Sequence, residues 1–437
     1  MSLLTLRPGN ARRAAGAALV ACLIVGPALG HAADYSLSGF GTLGWAQSDQ
    51  PFKYQRYIDD TGTFKRDSVI GLQVDAKFAN GFGATAQAKV APATSNDRHY
   101  EASLAWAFAS FRPNNDWLIR VGRQRIPIYL HSENYDVGAT YDLARLPTEM
   151  YSLVPSNDFV GLSVGKTWQV AGELALDGYW GASRNDFRIW QRDDIASFQR
   201  TGAVNIELDF SGGGLVLSHK RGEQILRIGL HRALVKRHDG RALTASFPFV
   251  TLAPNIGYYQ VDNALPGPGV NEVGRVANWT VAAGAELAMP AGVKLLSEFA
   301  YSRISNSDIA PQGSRGYVAL SRRFGAWTPY ASYAVLRSPK KQRALFDAVN
   351  ANLLPDAVPG AAQINPSQRA GADQIVVFDQ RSLAVGASYS FSPTSKIKTE
   401  IMRTRVGNVS RLADAPAGGN VRNQSINVFS LSYSVVF

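Results

Sequence analysis

The final stretch of this chain, Ser425 to Phe437, limits most tightly what it can fold into. It reads S-I-N-V-F-S-L-S-Y-S-V-V-F, with Phe429, Leu431, Tyr433, Val435 and Phe437 at every second position and Ser430, Ser432 and Ser434 between them. Side chains on a strand alternate faces, so one face of this stretch suits hydrocarbon and the other suits water. A strand greasy on one side for about ten residues and closed by an aromatic fits a membrane-spanning β-barrel. An edge strand of a soluble sandwich has the same look once. Recurrence along the chain separates the two.

The pattern recurs. Ile70, Leu72, Val74, Ala76 and Phe78 alternate with Gln73, Asp75 and Lys77, and after Ala79-Asn80-Gly81 the residues Phe82, Ala84, Ala86, Ala88 and Val90 alternate with Thr85, Gln87 and Lys89. Ala102, Leu104, Trp106 and Phe108 read as one apolar face, followed by Trp117, Ile119 and Val121 with Arg120 between them. Further pairs run through Val160–Trp180, Val281–Tyr301 and Leu383–Ile401, each folded at a short turn-forming cluster. The connections alternate as well: short turns lie between long segments at Gln47–Asp67, Ile126–Asp158, Lys236–Arg275 and Ser338–Phe378. Long loops at one end and tight turns at the other are the asymmetry of outer-membrane barrels, and such loops count against a compact soluble domain. The chain therefore reads as all-β: a transmembrane antiparallel up-and-down β-barrel. Arg200–Val235 decides the strand number. If Val204–Lys220 is one strand bent at Ser211-Gly212-Gly213-Gly214, there are 16; if the glycines make a turn, Leu243–Leu252 supplies parity and there are 18. The reading favours 16, and either number leaves an aqueous channel.

Residues 1–33 form a leader: Arg7, Arg12 and Arg13, an apolar run from Ala14 to Gly30, then small residues to Ala33. This is a secretory signal peptide, cut between Gly30 and Ala33, with residues 34–437 as the barrel. Cys22, the one cysteine, leaves with it, so the expected mature protein has no disulfide and no thiolate metal site. Without the leader's three arginines, 42 basic and 34 acidic residues remain. No basic cluster with interleaved aromatics accompanies that excess, so nucleic acid is not an expected partner. Past Gly30 no run of 18 apolar residues makes a membrane helix. Seven of the eight tryptophans (Trp45, Trp106, Trp117, Trp168, Trp180, Trp279 and Trp327) fall on or near the expected strands, several at their ends, where aromatic girdles form.

Three marks carry a resemblance: the C-terminal Phe strand, the run Gly122-Arg123-Gln124-Arg125-Ile126-Pro127, and the strand Pro329-Tyr330-Ala331-Ser332-Tyr333. Together with the layout of the whole mature chain, they resemble the trimeric general-diffusion porins of Gram-negative outer membranes. The resemblance implies an outer-membrane location, a homotrimer, contact with the lipid bilayer and lipopolysaccharide, and assembly-machinery recognition of Phe437 and Tyr433. It also implies that the third long loop, 126–158, folds into the lumen and narrows it. Glu133, Asp136, Asp142 and Glu149 on that loop would then face the wall arginines Arg120, Arg123 and Arg125 across a narrow, water-filled gap. Alternation points Arg120 inward; Arg123 and Arg125 have the opposite parity and reach the lumen only if Gly122 sits at a bulge.

Alternation also places Asp75, Lys77, Lys89, Asp177, Arg227, Lys294 and Glu298 on the lumen face. Acids and bases on that face are too even to settle selectivity. The expected function is passive diffusion of small hydrophilic solutes and ions, with no enzyme activity, no cofactor and no metal. A substrate-specific channel for small organic anions is the alternative. A barrel enzyme such as a lipid hydrolase is disfavoured, since His99, His131, His219, His231 and His238 sit in no recognisable motif with Ser or Asp.

Overall fold

Sixteen strands close on one another in sequence order. In this computed structural model, residues 34–153, 158–195 and 199–437 are described; the leader expected at 1–33 lies outside them. The strands are β1 (Asp34–Ser48), β2 (Val69–Lys77), β3 (Phe82–Pro92), β4 (Tyr100–Phe111), β5 (Trp117–Arg125), β6 (Asp158–Gln169), β7 (Glu173–Gln191) and β8 (Gly202–Arg221). They continue as β9 (Gln224–Arg237), β10 (Val276–Met289), β11 (Val293–Ile304), β12 (Gly313–Arg322), β13 (Trp327–Arg337), β14 (Phe378–Ser392), β15 (Ser395–Ser410) and β16 (Ser425–Val436). Every neighbouring pair is antiparallel, and β16 returns to β1 with Tyr433 opposite Leu43. Closure leaves no open sheet edge, which is what a strand structure in hydrocarbon requires. The terminal residue completes the seam: Phe437 and Gly39 exchange both backbone hydrogen bonds, at 3.0 and 2.7 Å.

The strand-number question resolves at the glycines. β8 runs unbroken through Ser211–Gly214, in register with β7 and β9 on both sides. Leu243–Leu252 is not a barrel strand; two short two-stranded ribbons occupy that long connection instead. The connection 338–377, read from sequence only as a loop, holds two helices, α1 (Lys340–Ala351) and α2 (Ala361–Gln374).

The alternation has its physical consequence. Leu37, Ile70, Leu72, Val121, Trp180, Leu215, Val281, Phe299, Val385 and Ile401 all stand exposed on the outside of the wall. A belt of this kind is tolerable only against lipid tails. Beside the turns, aromatic rings gather: Phe82 stacks on Phe111 at 4.6 Å, and Trp327, Tyr389, Phe391 and Tyr433 follow one another at 4.8 to 6.3 Å.

One expected face is corrected. In the β3–β4 pair, Gln87 sits opposite Trp106 while Ala88 sits opposite Leu104, so Ala105 is an extra residue at a bulge. A bulge shifts the side-chain parity by one position. Leu104 and Ala102 stay outside with Ala88 and Val90, but Trp106 and Phe108 turn into the lumen beside Gln87 and Thr85. Trp106 is thus no part of a membrane girdle.

Candidate functional site

The connection between β5 and β6 lies inside the barrel. Ile128, Tyr129, Leu143, Leu146 and Tyr151 pack on Ala282, Leu296, Ala300, Tyr317, Ala319 and Tyr330, the inward residues of β10 to β13. Polar contacts hold the same course. Arg227 donates to the Tyr129 carbonyl at 2.7 Å, and Glu298 accepts from the Leu130 backbone N–H and the Tyr317 hydroxyl, each at 2.8 Å. Lys398 donates to the Gly138 carbonyl at 2.9 Å, and the Ala144 N–H donates to the Tyr330 hydroxyl at 2.8 Å. The connection thereby spans from the β9–β11 wall to β13–β16, leaving the β2–β8 side of the lumen across from it.

The four loop acids part company. Glu133 meets Arg120 at 3.4 Å, and Arg120 lies over the Phe108 ring at 5.3 Å. Asp136 is buried between Lys89, at 2.7 Å, and Arg125. Asp142 and Glu149 do not face the expected arginines. Asp142 pairs with Lys396 at 2.9 Å, and Glu149 accepts from Gln380 at 2.7 Å and from Ser382. Burial works to raise the Asp136 carboxyl, but Lys89 and Arg125 hold it below its ordinary value. Burial likewise opposes ionisation of Asp142, and Lys396 outweighs it.

Arg123 is corrected. No register shift occurs at Gly122 in either pairing of β5, so Arg123 stays opposite Ala107 and Val160 on the outer face. It binds Asp158, the first residue of β6, at 2.7 Å. Arg125 has the same parity but ends its strand, where the chain bends inward and carries it to Asp136.

Of the residues placed on the lumen face by alternation, Asp75 accepts from Thr85 at 2.6 Å and from Gln73 at 2.7 Å. Asp177 lies on the inward register opposite Gly165, Lys77 ends β2 at the turn side, and Lys294 pairs with Glu286. Lys89, Arg227 and Glu298 all grip the inner loop, a role their spacing does not announce. Two further residues of the site carry no sequence signal of their role: Arg145, which clasps Asp67, and Arg315, whose Nε donates to the Tyr129 hydroxyl at 2.7 Å. Neither lies in a motif; only the inward parity of Arg315 was readable.

Between the inner loop and the outer connections lies a chamber of about 810 Å³. Nine basic residues line it against four acidic ones. Among the described residues, no group of three or more His, Asp or Glu side chains converges as metal ligands do.

Solved structures share this architecture. A loop-deletion mutant of OmpT, an outer membrane protein of Vibrio cholerae, superposes with a TM-score of 0.52 at 10% identity, over 93% of this chain and 100% of that one. OmpT expressed in the Vibrio cholerae outer membrane gives 0.50 at 11% identity, over 93% and 98%. The fold is that of the outer-membrane barrels. An anion-selective porin from Comamonas acidovorans is also among the matches, with a TM-score of 0.48 at 11% identity over 93% and 100%. No family model matches the sequence, and no curated protein matches it.

Proposed function

We propose that this chain, after removal of residues 1–33, forms a water-filled channel in the outer membrane for passive diffusion of small hydrophilic solutes and ions. The observation that carries this reading is the connection after β5, residues 126–153, folded across a closed barrel of 16 strands. A barrel of that size encloses more space than its own side chains fill, and an inner loop narrows it without sealing it. The constriction is then Arg120 and Phe108 on the wall against Glu133 on the loop, with the Lys89–Asp136–Arg125 cluster above. Asp136 answers two cations at once, so that cluster keeps a positive excess. With the basic chamber lining, this supports a preference for anions.

The same reading places lipid and lipopolysaccharide around the belt and gives Tyr433 and Phe437 to the barrel assembly machinery. The small-residue wall of β3, from Gly83 to Ala91, suits the flat packing of a homotrimer.

Single-channel recording of the refolded protein in planar bilayers tests this. Conductance in groups of three steps, linear in salt and with a reversal potential favouring anions, is the expected result. A folded barrel without conductance overturns the channel reading and turns attention to lipid hydrolysis.

A further inference from the structure

The chamber wall breaks the rule that a porin-like lumen is polar. Phe187, Leu208, Val235, Val276 and Ile304 form one apolar cluster, and all five line the chamber. Leu208, Val235, Val276 and Ile304 are buried on the inward face of strands β8 to β11, whose outward neighbours at this height include the charged Glu207, Asp209, Lys236 and Arg303. Leu243, Val273 and Ala310 from the outer connections already pack on part of this cluster, and the side that lines the chamber is where a further apolar surface can sit.

A cation adjoins the patch. Arg315 on β12 is 2% exposed and lies beside Ala300, one inward step from Ser302 and two from Ile304 on β11. Its Nε donates to the Tyr129 hydroxyl at 2.7 Å and its Nη1 to Ser302 Oγ at 2.9 Å. Both partners are neutral, the guanidinium also lies over the Tyr129 ring at 5.7 Å, and the residue makes no ion pair among the described residues while it lines the chamber. A guanidinium so buried normally meets a carboxylate. The described residues provide none, and Arg315 borders a space of the size that holds small ligands.

A second feature presents the opposite side of the chamber. Gln55 and Arg56 are adjacent residues with φ of +49° and +76°, at the tip of the turn between β1 and β2. Such strain persists only where surroundings enforce it, and it collects at ligand-binding sites. The Gln55 N–H donates to the Leu412 carbonyl at 2.7 Å, which fixes the tip against the chamber. The turn holds Arg66 by its Nε at 3.2 Å from Gln55 Oε1, with Thr148 Oγ1 as its other partner at 3.3 Å. Arg66, too, makes no ion pair among the described residues.

We propose that the chamber binds a small organic carboxylate with an apolar body, the carboxylate on Arg315 and the body on the Phe187–Leu208–Val235–Val276–Ile304 patch. This rests on the channel reading for its meaning, since it names the solute class, but the site itself is a binding claim. Arg66 offers the same anion a second cation on its way across the chamber.

Calorimetric titration of the folded, detergent-solubilised full barrel with benzoate, alongside bilayer recording in chloride with added benzoate, separates the two claims. Saturable benzoate binding is expected, with saturable reduction of the chloride current, and neither effect from acetate or benzyl alcohol at equal concentration. Arg315→Gln should weaken benzoate at least tenfold, with partial rescue by Arg315→Lys. Leu208→Thr, away from the inner loop, should weaken benzoate several-fold. Arg241→Gln, exposed outside the chamber, should change neither. Conductance that stays ohmic with no benzoate heat overturns the site and leaves the channel standing. Benzoate heat from a barrel that does not conduct keeps the site and overturns the channel. Equal binding by wild type, Arg315→Gln and Leu208→Thr overturns the proposal.

Discussion

Asp136 shows how much one carboxylate governs. It neutralises Lys89 and Arg125 together, and all three are largely shielded from water. Asp136→Asn leaves two cations without a counter-charge, and removing one member of a buried pair costs about 3–5 kcal/mol. The barrel's wall does not depend on this cluster, so the loss should fall on the docking of the loop. Expected outcomes are higher single-channel conductance, a reversal potential moved further toward anions, and faster proteolysis within 126–153. Unchanged conductance and selectivity would mean the cluster does not shape the pore. The pH dependence follows in sign. Asp136, Asp142 and Asp67 are all held below the ordinary 3.8, by Lys89 with Arg125, by Lys396, and by Arg145, each against the opposing effect of burial. A depressed carboxyl contributes stability above its ordinary value and loses it as pH falls through the depressed one. Conductance should therefore stay level from neutral pH down to about 4, near the unperturbed carboxylate range, and rise only below it. A transition near pH 6 would contradict the assignment of these clasps.

At the scale of the element, the bulge at Ala105 decides which side chains the solute meets. Phe108 faces the lumen under Arg120, whereas Ala107, Val121 and Arg123 face outward. The chain's one cysteine is Cys22, upstream of every barrel strand, so single cysteines can be read one at a time. Phe108→Cys and Trp106→Cys should react with a water-soluble thiol reagent that lowers conductance. Ala107→Cys and Arg123→Cys should leave conductance unaltered under the same treatment. Loss of current at Arg123→Cys would put that residue back in the pore. The same elements mark what sequence makes legible. Strands such as Ile70–Lys77 and Val281–Tyr301 were readable because hydrocarbon on one side and water on the other impose alternation residue by residue. The bulge was not, because Trp106 and Phe108 are apolar and mimic the outer face they have left. The glycines of Ser211–Gly214 resemble a turn until β7 and β9 pair across them. The docking of the loop depends on contacts such as Leu130 to Glu298, far apart in the chain, which no local pattern encodes. Glu298 was readable as inward, but not as the residue that receives the loop.

The whole molecule is a barrel with two internal layers, the loop across its lumen and a cap over the loop end. α1 and α2 form the cap with the short ribbons of the 238–275 connection: Phe346, Val349, Ile364, Ala372 and Ile375 pack with Phe247, Tyr258, Val261 and Leu265. This cap is joined to the barrel at several buried points, among them Gln342 on the Asp308 and Ala310 carbonyls, Arg343 on Asp379, and the cluster around Asp373. Asp373, 1% exposed, accepts from Arg192 Nε at 2.5 Å and from the Arg192 backbone N–H at 3.0 Å, and meets Arg411 at 3.5 Å. Asp373 and Arg411 also line the chamber, so the joint and the cavity share a wall. Asp373→Asn strands two guanidinium groups at once, whereas the cap keeps its own apolar core. The cap should loosen at this edge, still held by Gln342 and Arg343, and not unfold. Liposome swelling with sugars of increasing size measures the consequence: the variant should raise the rate for sugars that wild type excludes, and leave the rate for the smallest sugars within about twofold. That outcome places the size limit at the cap. If swelling rates are unchanged at every size, the limit lies deeper, at Arg120, Phe108 and Glu133, and the cap filters nothing. The two internal layers act in series, so the narrower one alone sets the cut-off, and only a variant that opens one without the other tells which it is.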